Sequence, residues 1–429
     1  MSTLSPPTTD SPAAESPQYP THRIAACPFD PSPELRQLQS QAPIHRVRIW
    51  DGSKPWLITR FEDQRALLAD GRIRTDPTRP GYPQPTPGIA QVNRRPATSP
   101  TDDQTEKGNE AAFFINMDDP EHARQRRMIT STFAVRRLEA IRPAVQQVVD
   151  DLIDVLLAGP KPVDLVHGFA MPVPSLVICE FLGVPHADRE YFRARSHLLL
   201  PTPTDSPEPT IAAMVELRIY LNRLISEKLE HPAEDVLSIL AERVTTGELT
   251  PHQAADTGLM LLFAGHETTA NMISLGTLAL LQHPDQLARV REHSDDPALI
   301  ASTVEELLRY LSIAQFGLRR TASEDIEIGG VRIRAGEGIV FATDVGNHDP
   351  DVFADPGRFD IDRNPRQHIT FGFGVHQCVG QPLARLELEV VYSTLYRRIP
   401  TLRLATEIER IPFKLDEIFY GVYELPVTW

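Results

Sequence analysis

The segment Phe371-Gly-Phe-Gly-Val-His-Gln-Cys-Val-Gly380 constrains this chain more than any other ten residues. Its glycines predict a tight turn, because only glycine enters the left-handed backbone region at no steric cost. Gln381-Pro382, directly after, predicts a helix start, where proline's missing N–H leaves no bond unmade. Cys378 therefore sits at a helix N-terminus, where the dipole and unpaired N–H groups favour negative charge. The expectation is a thiolate rather than a thiol, and a thiolate so held is a metal ligand. The plainer reading of a lone cysteine is a small buried hydrophobe, and these residues alone leave it open.

The remaining chemistry must fit an ordinary globular composition. The chain has 429 residues, 41% hydrophobic and 24% charged, enough to bury roughly three quarters of its unfolded surface around a deep pocket. Its three cysteines, Cys27, Cys179 and Cys378, are far apart, which argues for a reducing, cytoplasmic setting and against disulfides or structural zinc. Residues 1–33 are rich in Pro, Ser and Thr and lack an apolar segment. They read as a disordered tail rather than a signal peptide or membrane anchor. The most apolar stretch, 257–281, is interrupted by His266 and Glu267, so no membrane span is expected. A net charge of −15 argues against nucleic acid or anionic membrane as partners.

Helical periods dominate the pattern. They cover 61–68, 121–133, 135–157, 173–182, 186–200, 211–229, 285–292, 300–310 and 382–398, with one long helix opening at Thr250-Pro251-His-Gln253. There Thr caps, Pro takes the first position and Gln closes a capping box. Residues 76–112 form a long polar stretch without apolar period, and 201–209 is a proline-broken connector. Asp51-Gly52 predicts a hairpin between 47–50 and 56–59, and Gly329-Gly330 another between 325–328 and 331–333. The fold class is mainly α with small β-sheets, a single domain over residues 34–429.

Two further patterns carry chemistry. Ala264-Gly265-His-Glu267-Thr268-Thr lies inside the long apolar helix. A helix-interior glycine costs about 1 kcal/mol and a buried carboxylate costs several more unless paired. The pattern predicts a local opening of the helix beside a ligand, against the simpler reading of a polar kink facing another helix. Glu306-Leu-Leu-Arg309 places opposite charges on one helical face, by default an exposed pair of little value.

Taken together, these segments resemble the cytochrome P-450 haem-thiolate monooxygenases. Phe371, Gly374, His376, Cys378 and Gly380 stand at the positions of that family's haem loop. The likeness runs from about Ile44 to Trp429, fits the soluble bacterial branch that tailors natural products and foreign compounds, and includes the closing Tyr420–Trp429 segment. It implies haem b, with Cys378 as the axial ligand of the iron. Phe371, Gly372, His376, Gly380, Ala264 and Gly265 are implied to line the cofactor. His122, Arg126, His376 and Arg320 (or its neighbour Arg319) are implied partners for its propionates. Glu267 and Thr268 become an acid–alcohol pair delivering protons to dioxygen. Glu306 and Arg309, with Arg358 of Pro356-Gly-Arg-Phe359, become a buried structural lock under the haem loop. Asp119 and His348 depart from the family's usual residues at positions that the chemistry does not need.

The resemblance implies insertion of one oxygen atom from dioxygen into a lipophilic small molecule, by hydroxylation or epoxidation, in bacterial secondary metabolism. Alternatives are a nitric-oxide-reducing or peroxide-driven enzyme of the same family, or a non-catalytic haem-binding protein. No strand–GxGxxG–helix unit is present, so electrons are expected from a ferredoxin and its NAD(P)H-dependent reductase. These would dock on the basic patch of Arg124, Arg126, Arg127, Arg136 and Arg137. A soluble monomer is expected, its pocket roofed by 76–112 and 183–215.

Overall fold

In the computed structural model of the chain, residues 16–24, 27–94, 113–196, 198–199 and 208–429 are described. The helix Pro251–Gln282 organises everything else. Its 32 residues begin at the expected capping box, in which Gln253 N–H donates to Thr250 Oγ1 (3.1 Å) and Thr250 N–H donates to Gln253 Oε1 (3.0 Å). Apolar residues circle the whole helix, so it must be interior. It is wrapped by the helices Pro172–Leu182, Glu208–Glu230, Pro297–Leu311 and Gln381–Arg398. Among the described residues no helix is long and apolar enough to cross a membrane.

The smaller lobe is a five-stranded sheet in the order Ile44–Arg46, Trp56–Ile58, Gly338–Phe341, Leu318–Ala322, Ile73–Arg74. Trp56–Ile58 runs parallel to Gly338–Phe341 with Trp56 opposite Ile339, and the other pairs are antiparallel. The Asp51-Gly52 turn forms with Gly52 at φ +81°, and Val47 and Ile49 N–H donate across it to Pro55 O and Ser53 O (3.1 Å each), while the regular strand ladder lies further out, from Arg46↔Trp56 to Ile44↔Ile58. Gly329-Gly330 turns the Ile326–Ile328 and Val331–Ile333 hairpin as expected, at φ +55° and +76°. A third, three-stranded sheet joins Val163–Asp164, Pro426–Thr428 and Arg403–Leu404. The 76–112 stretch is not structureless: Pro87–Arg94 is a helix, while 95–112 lies outside the described residues.

The expected tail also needs correction. Residues 1–15 lie outside the described residues, but residues 16–24 and 27–33 are packed against the rest of the protein. Tyr19 is fully buried, and its N–H donates to Arg48 O (2.9 Å). Arg23 donates to the carbonyls of Phe29 (2.7 Å) and Leu311 (2.8 Å) and lies over the Tyr420 ring. Composition averages over a segment, whereas two long side chains inserted among buried carbonyls suffice to order it.

Candidate functional site

The haem-loop sequence folds as its glycines require. Gly372 and Gly374 take φ +71° and +75°. A Cβ on Gly374 would stand 2.3 Å from Leu68 O, so no other residue fits there. Cys378 N–H donates to Phe371 O (2.8 Å), closing the turn, and the helix Gln381–Arg398 starts three residues on. The sulfur receives N–H groups from Gly380 and Gln381, with Arg126 and Arg385 nearby. Burial nevertheless outweighs these, and the thiol is pushed up rather than down. The expected thiolate is thus not a property of the protein alone, because desolvation penalises an isolated anion. A metal cation at the sulfur reverses that balance. Cys378 is set deep in the protein and yet carries exposed surface, as does Ala264 midway along the buried central helix. Exposed surface on two elements otherwise packed inside the protein implies a hollow that each borders.

One rim of this region is crowded with positive and imidazole groups. The His122 and His376 rings stack with centroids 3.8 Å apart. His122 Nε2 and His376 Nδ1 are buried without a hydrogen-bond partner. Burial first, then Arg320 and other neighbouring positive groups, holds His376 down to about 3, and burial likewise lowers His122. Arg126 is half-buried and donates to Gln377 O, while also lining a surface pocket beside Arg127. Between Arg319 and Arg320 strand alternation decides: Arg319 is buried against Pro83 O (3.1 Å) and Gln84 O (2.9 Å), pinning that stretch to the sheet, while Arg320 acts on His122 and His376. Among the described residues, neither Arg126 nor Arg320 has an ion-paired carboxylate. Asp119 matters more than its position suggested. Its Oδ1 lies 3.1 Å from His122 Nδ1 and accepts from Ala123 N–H (3.0 Å), orienting the imidazole. His348 is structural, buried with its Nδ1 2.9 Å from Asp344 O.

The Ala264–Thr269 segment does not open the helix. Helical geometry is continuous from 251 to 282, and Thr268 Oγ1 donates back to Ala264 O (2.8 Å). Gly265 has a packing reason: a Cβ there would lie 3.0 Å from Ile178 Cδ1 of the adjoining helix. Glu267 is joined not to Thr268 but to Lys414, whose Nζ is 2.6 Å from Oε1. Burial raises this carboxyl, but Lys414 overcomes it and the net shift is downward.

Glu306 and Arg309 are wholly buried and bidentate, at 2.8 and 2.7 Å. Arg358 does not complete them. Its side chain is 63% exposed, and only its carbonyl lies near Arg309. The third charge is Arg363, 3.2 Å from Glu306 Oε1, reached because the chain curls back after Phe359. Glu305, the other carboxylate of the pair of glutamates, escaped sequence reasoning. It holds His368 (3.1 Å) and Arg385, and these contacts overcome burial to lower its carboxyl to about 2. Arg385 also lies over the Phe371 ring (4.7 Å), so this cluster braces the cysteine loop against its following helix.

Sequence and fold comparisons settle what frame this is. A family model for cytochrome P-450 matches residues 196–399. GfsF, a cytochrome P-450 of Streptomyces halstedii, is 53% identical over 420 residues, covering 97% of each chain. This chain belongs to the cytochrome P-450 family. The crystal structure of GfsF superposes on this P-450 with a TM-score of 0.88, at 52% identity over 96% of this chain and all of that one. The mycinamicin VIII C21 methyl hydroxylase MycCI of Micromonospora griseorubida, solved with mycinamicin VIII bound, superposes with a TM-score of 0.84 at 39% identity, covering 96% and 100%. The mainly α fold with small sheets is therefore the P-450 fold. This P-450 is a monooxygenase, of a family whose members carry haem on a cysteine thiolate.

Proposed function

We propose that Cys378 is the thiolate ligand of haem b, and that Glu267 and Thr268 deliver protons for hydroxylation or epoxidation of a large lipophilic natural product. The observation that carries this reading is the group His122, Arg126, Arg320 and His376 beside Cys378. It supplies two unpartnered buried imidazole nitrogens and two guanidinium groups lacking carboxylate partners among the described residues. Two propionates fit that need, since guanidinium groups pair carboxylates bidentately. The haem, when bound, supplies dioxygen activation, and thiolate ligation favours cleavage of the O–O bond. The chain's own work is to hold the propionates, keep the hollow dry and move protons. The Thr268 hydroxyl, parked on Ala264 O, can turn into the hollow, and Glu267 lies one residue earlier. MycCI, which takes mycinamicin VIII, supports a bulky guest.

Electrons would come from a ferredoxin and its reductase. Arg124 is committed to Glu121 (2.6 Å), but Arg127, Arg136 and Arg137 are exposed. Arg127 shares a surface pocket of about 290 Å³ with Arg126, His122, Asp119 and Val375. Such a basic rim with an apolar element suits an acidic partner. The test of the function is Thr268→Ala. Haem content and substrate-induced spin-state shift should persist while NAD(P)H-derived electrons are diverted to hydrogen peroxide. Unchanged yield of oxygenated product per NAD(P)H would overturn the assignment.

A further inference from the structure

We propose that Lys414 is a positioning residue for proton delivery: it anchors one oxygen of Glu267 in a closed triangle with Asn271 and keeps that carboxylate ionised and aimed. The proposal rests on the reading of Glu267 as a proton relay. Lys414 Nζ donates to Glu267 Oε1 (2.6 Å) and to Asn271 Oδ1 (3.2 Å), and Asn271 Nδ2 donates to the same Glu267 Oε1 (3.2 Å). The lysine comes from the C-terminal irregular segment, far along the chain from the central helix, and only 8% of it is exposed.

The surroundings are shaped for this contact. Gly421 sits against Asn271, and a Cβ there would lie 2.0 Å from Asn271 Oδ1. Any other residue would expel the amide that completes the triangle. The Lys414 backbone is held at both ends, with its N–H on Gly421 O (2.9 Å) and its carbonyl accepting from Gln315 Nε2 (2.9 Å). A buried ion pair is weak evidence for stability, because desolvating both charges offsets their attraction. Two donors meeting on one carboxylate oxygen, with Gly421 and Gln315 holding those donors in place, call for another role.

With Oε1 anchored, Oε2 is the oxygen left to exchange protons, and among the described residues it has no hydrogen-bond partner. An ionised Glu267 can accept a proton from water at Oε2 and release one toward the Thr268 side. The carboxylate is regenerated each time, and Lys414 stays an ammonium throughout. Without the ammonium, burial would leave the carboxyl protonated and able to give one proton but slow to reload.

The test uses Lys414→Gln, which keeps hydrogen-bonding capacity and loses the charge, with Lys414→Arg as the charge-retaining rescue. Infrared spectra of the haem-loaded protein at neutral pH should show a new protonated-carboxyl stretch in Lys414→Gln. It should be absent from the wild type and from Lys414→Arg, and lost again in the Lys414→Gln/Glu267→Gln double variant. Peroxide released per NADH, measured with a plant-type ferredoxin and its reductase, should rise as coupling falls by at least about tenfold, less than the roughly hundredfold minimum that a placed proton donor itself contributes, because Glu267 is still present. Lys414→Arg should restore coupling. Absence of the carboxyl band, or a band with unchanged coupling, overturns the proposal. If Glu267→Gln alone leaves coupling intact, the relay reading fails instead, and the band still reports whether Lys414 sets the charge. Should Lys414→Gln not fold, Asn271→Leu, which removes the triangle's third corner, should weaken coupling in the same sense, and full coupling there refutes the idea.

Discussion

Replacing Arg309 with methionine isolates the buried lock. The guanidinium is fully enclosed and donates to Glu306 twice, to Asn347 O (3.0 Å) and to Pro356 O (2.9 Å). Methionine fills much of the volume but donates nothing. Removing one partner of a buried ion pair costs about 3–5 kcal/mol, and each orphaned buried carbonyl adds about 1–3 kcal/mol. Arg363 (3.2 Å) and the Asp360 N–H (3.0 Å) remain on Glu306 and limit the loss. A total of about 5 kcal/mol is therefore expected, a third or more of a typical domain's stability. Urea unfolding of the haem-free protein, followed by circular dichroism, measures it directly. Arg358→Ala is the internal control, because its exposed side chain should matter by no more than about 0.5 kcal/mol. A loss below about 1 kcal/mol for Arg309→Met refutes the reasoning. So does an Arg358→Ala effect equal to that of Arg363→Ala.

Two further outcomes follow from the loop and its brace. The Glu305 carboxyl is depressed to about 2 by His368 and Arg385, so its stabilisation is complete above the ordinary carboxylate range and is lost as pH falls towards 2. This amounts to about 3 kcal/mol at neutral pH, and Glu305→Gln should flatten the acid side of a stability–pH curve, whereas an unaltered slope would contradict the ion-pair account. Gly374→Ala forces both a left-handed alanine and a backbone clash at Leu68 O. It should abolish haem retention while leaving the far helices folded, as seen by pigment content and circular dichroism, and a fully pigmented variant would show that the loop tolerates a Cβ.

The helical lobe could be read from the chain because its signals are local. Thr250, Pro251 and Gln253 specify one end of the central helix by themselves, and Gly329-Gly330 specifies a hairpin. What sequence reading missed depends on distant pairing. Lys414 looks like an ordinary surface lysine between Phe413 and Leu415 until folding brings it to Glu267. Arg363 and Arg358 are equally plausible on spacing, and only the reversal of the chain after Phe359 decides between them. Tyr19 and Arg23 were hidden in a proline-rich composition that says nothing of individual anchors. Gly265 has a packing neighbour, Ile178, that spacing along the chain does not reveal. For Cys378 the helix terminus supplies only part of what a thiolate needs: it is local, whereas the desolvation it must offset belongs to the whole fold.

The central claim is that the Cys378 sulfur is the iron's ligand. Dithionite-reduced, carbon-monoxide-treated protein should give the long-wavelength Soret band of a thiolate-bound haem, and Cys378→His should move that band to the imidazole-ligated position while pigment is retained. A wild-type band already at the imidazole position, or a thiolate-type band surviving in Cys378→His, would contradict the account.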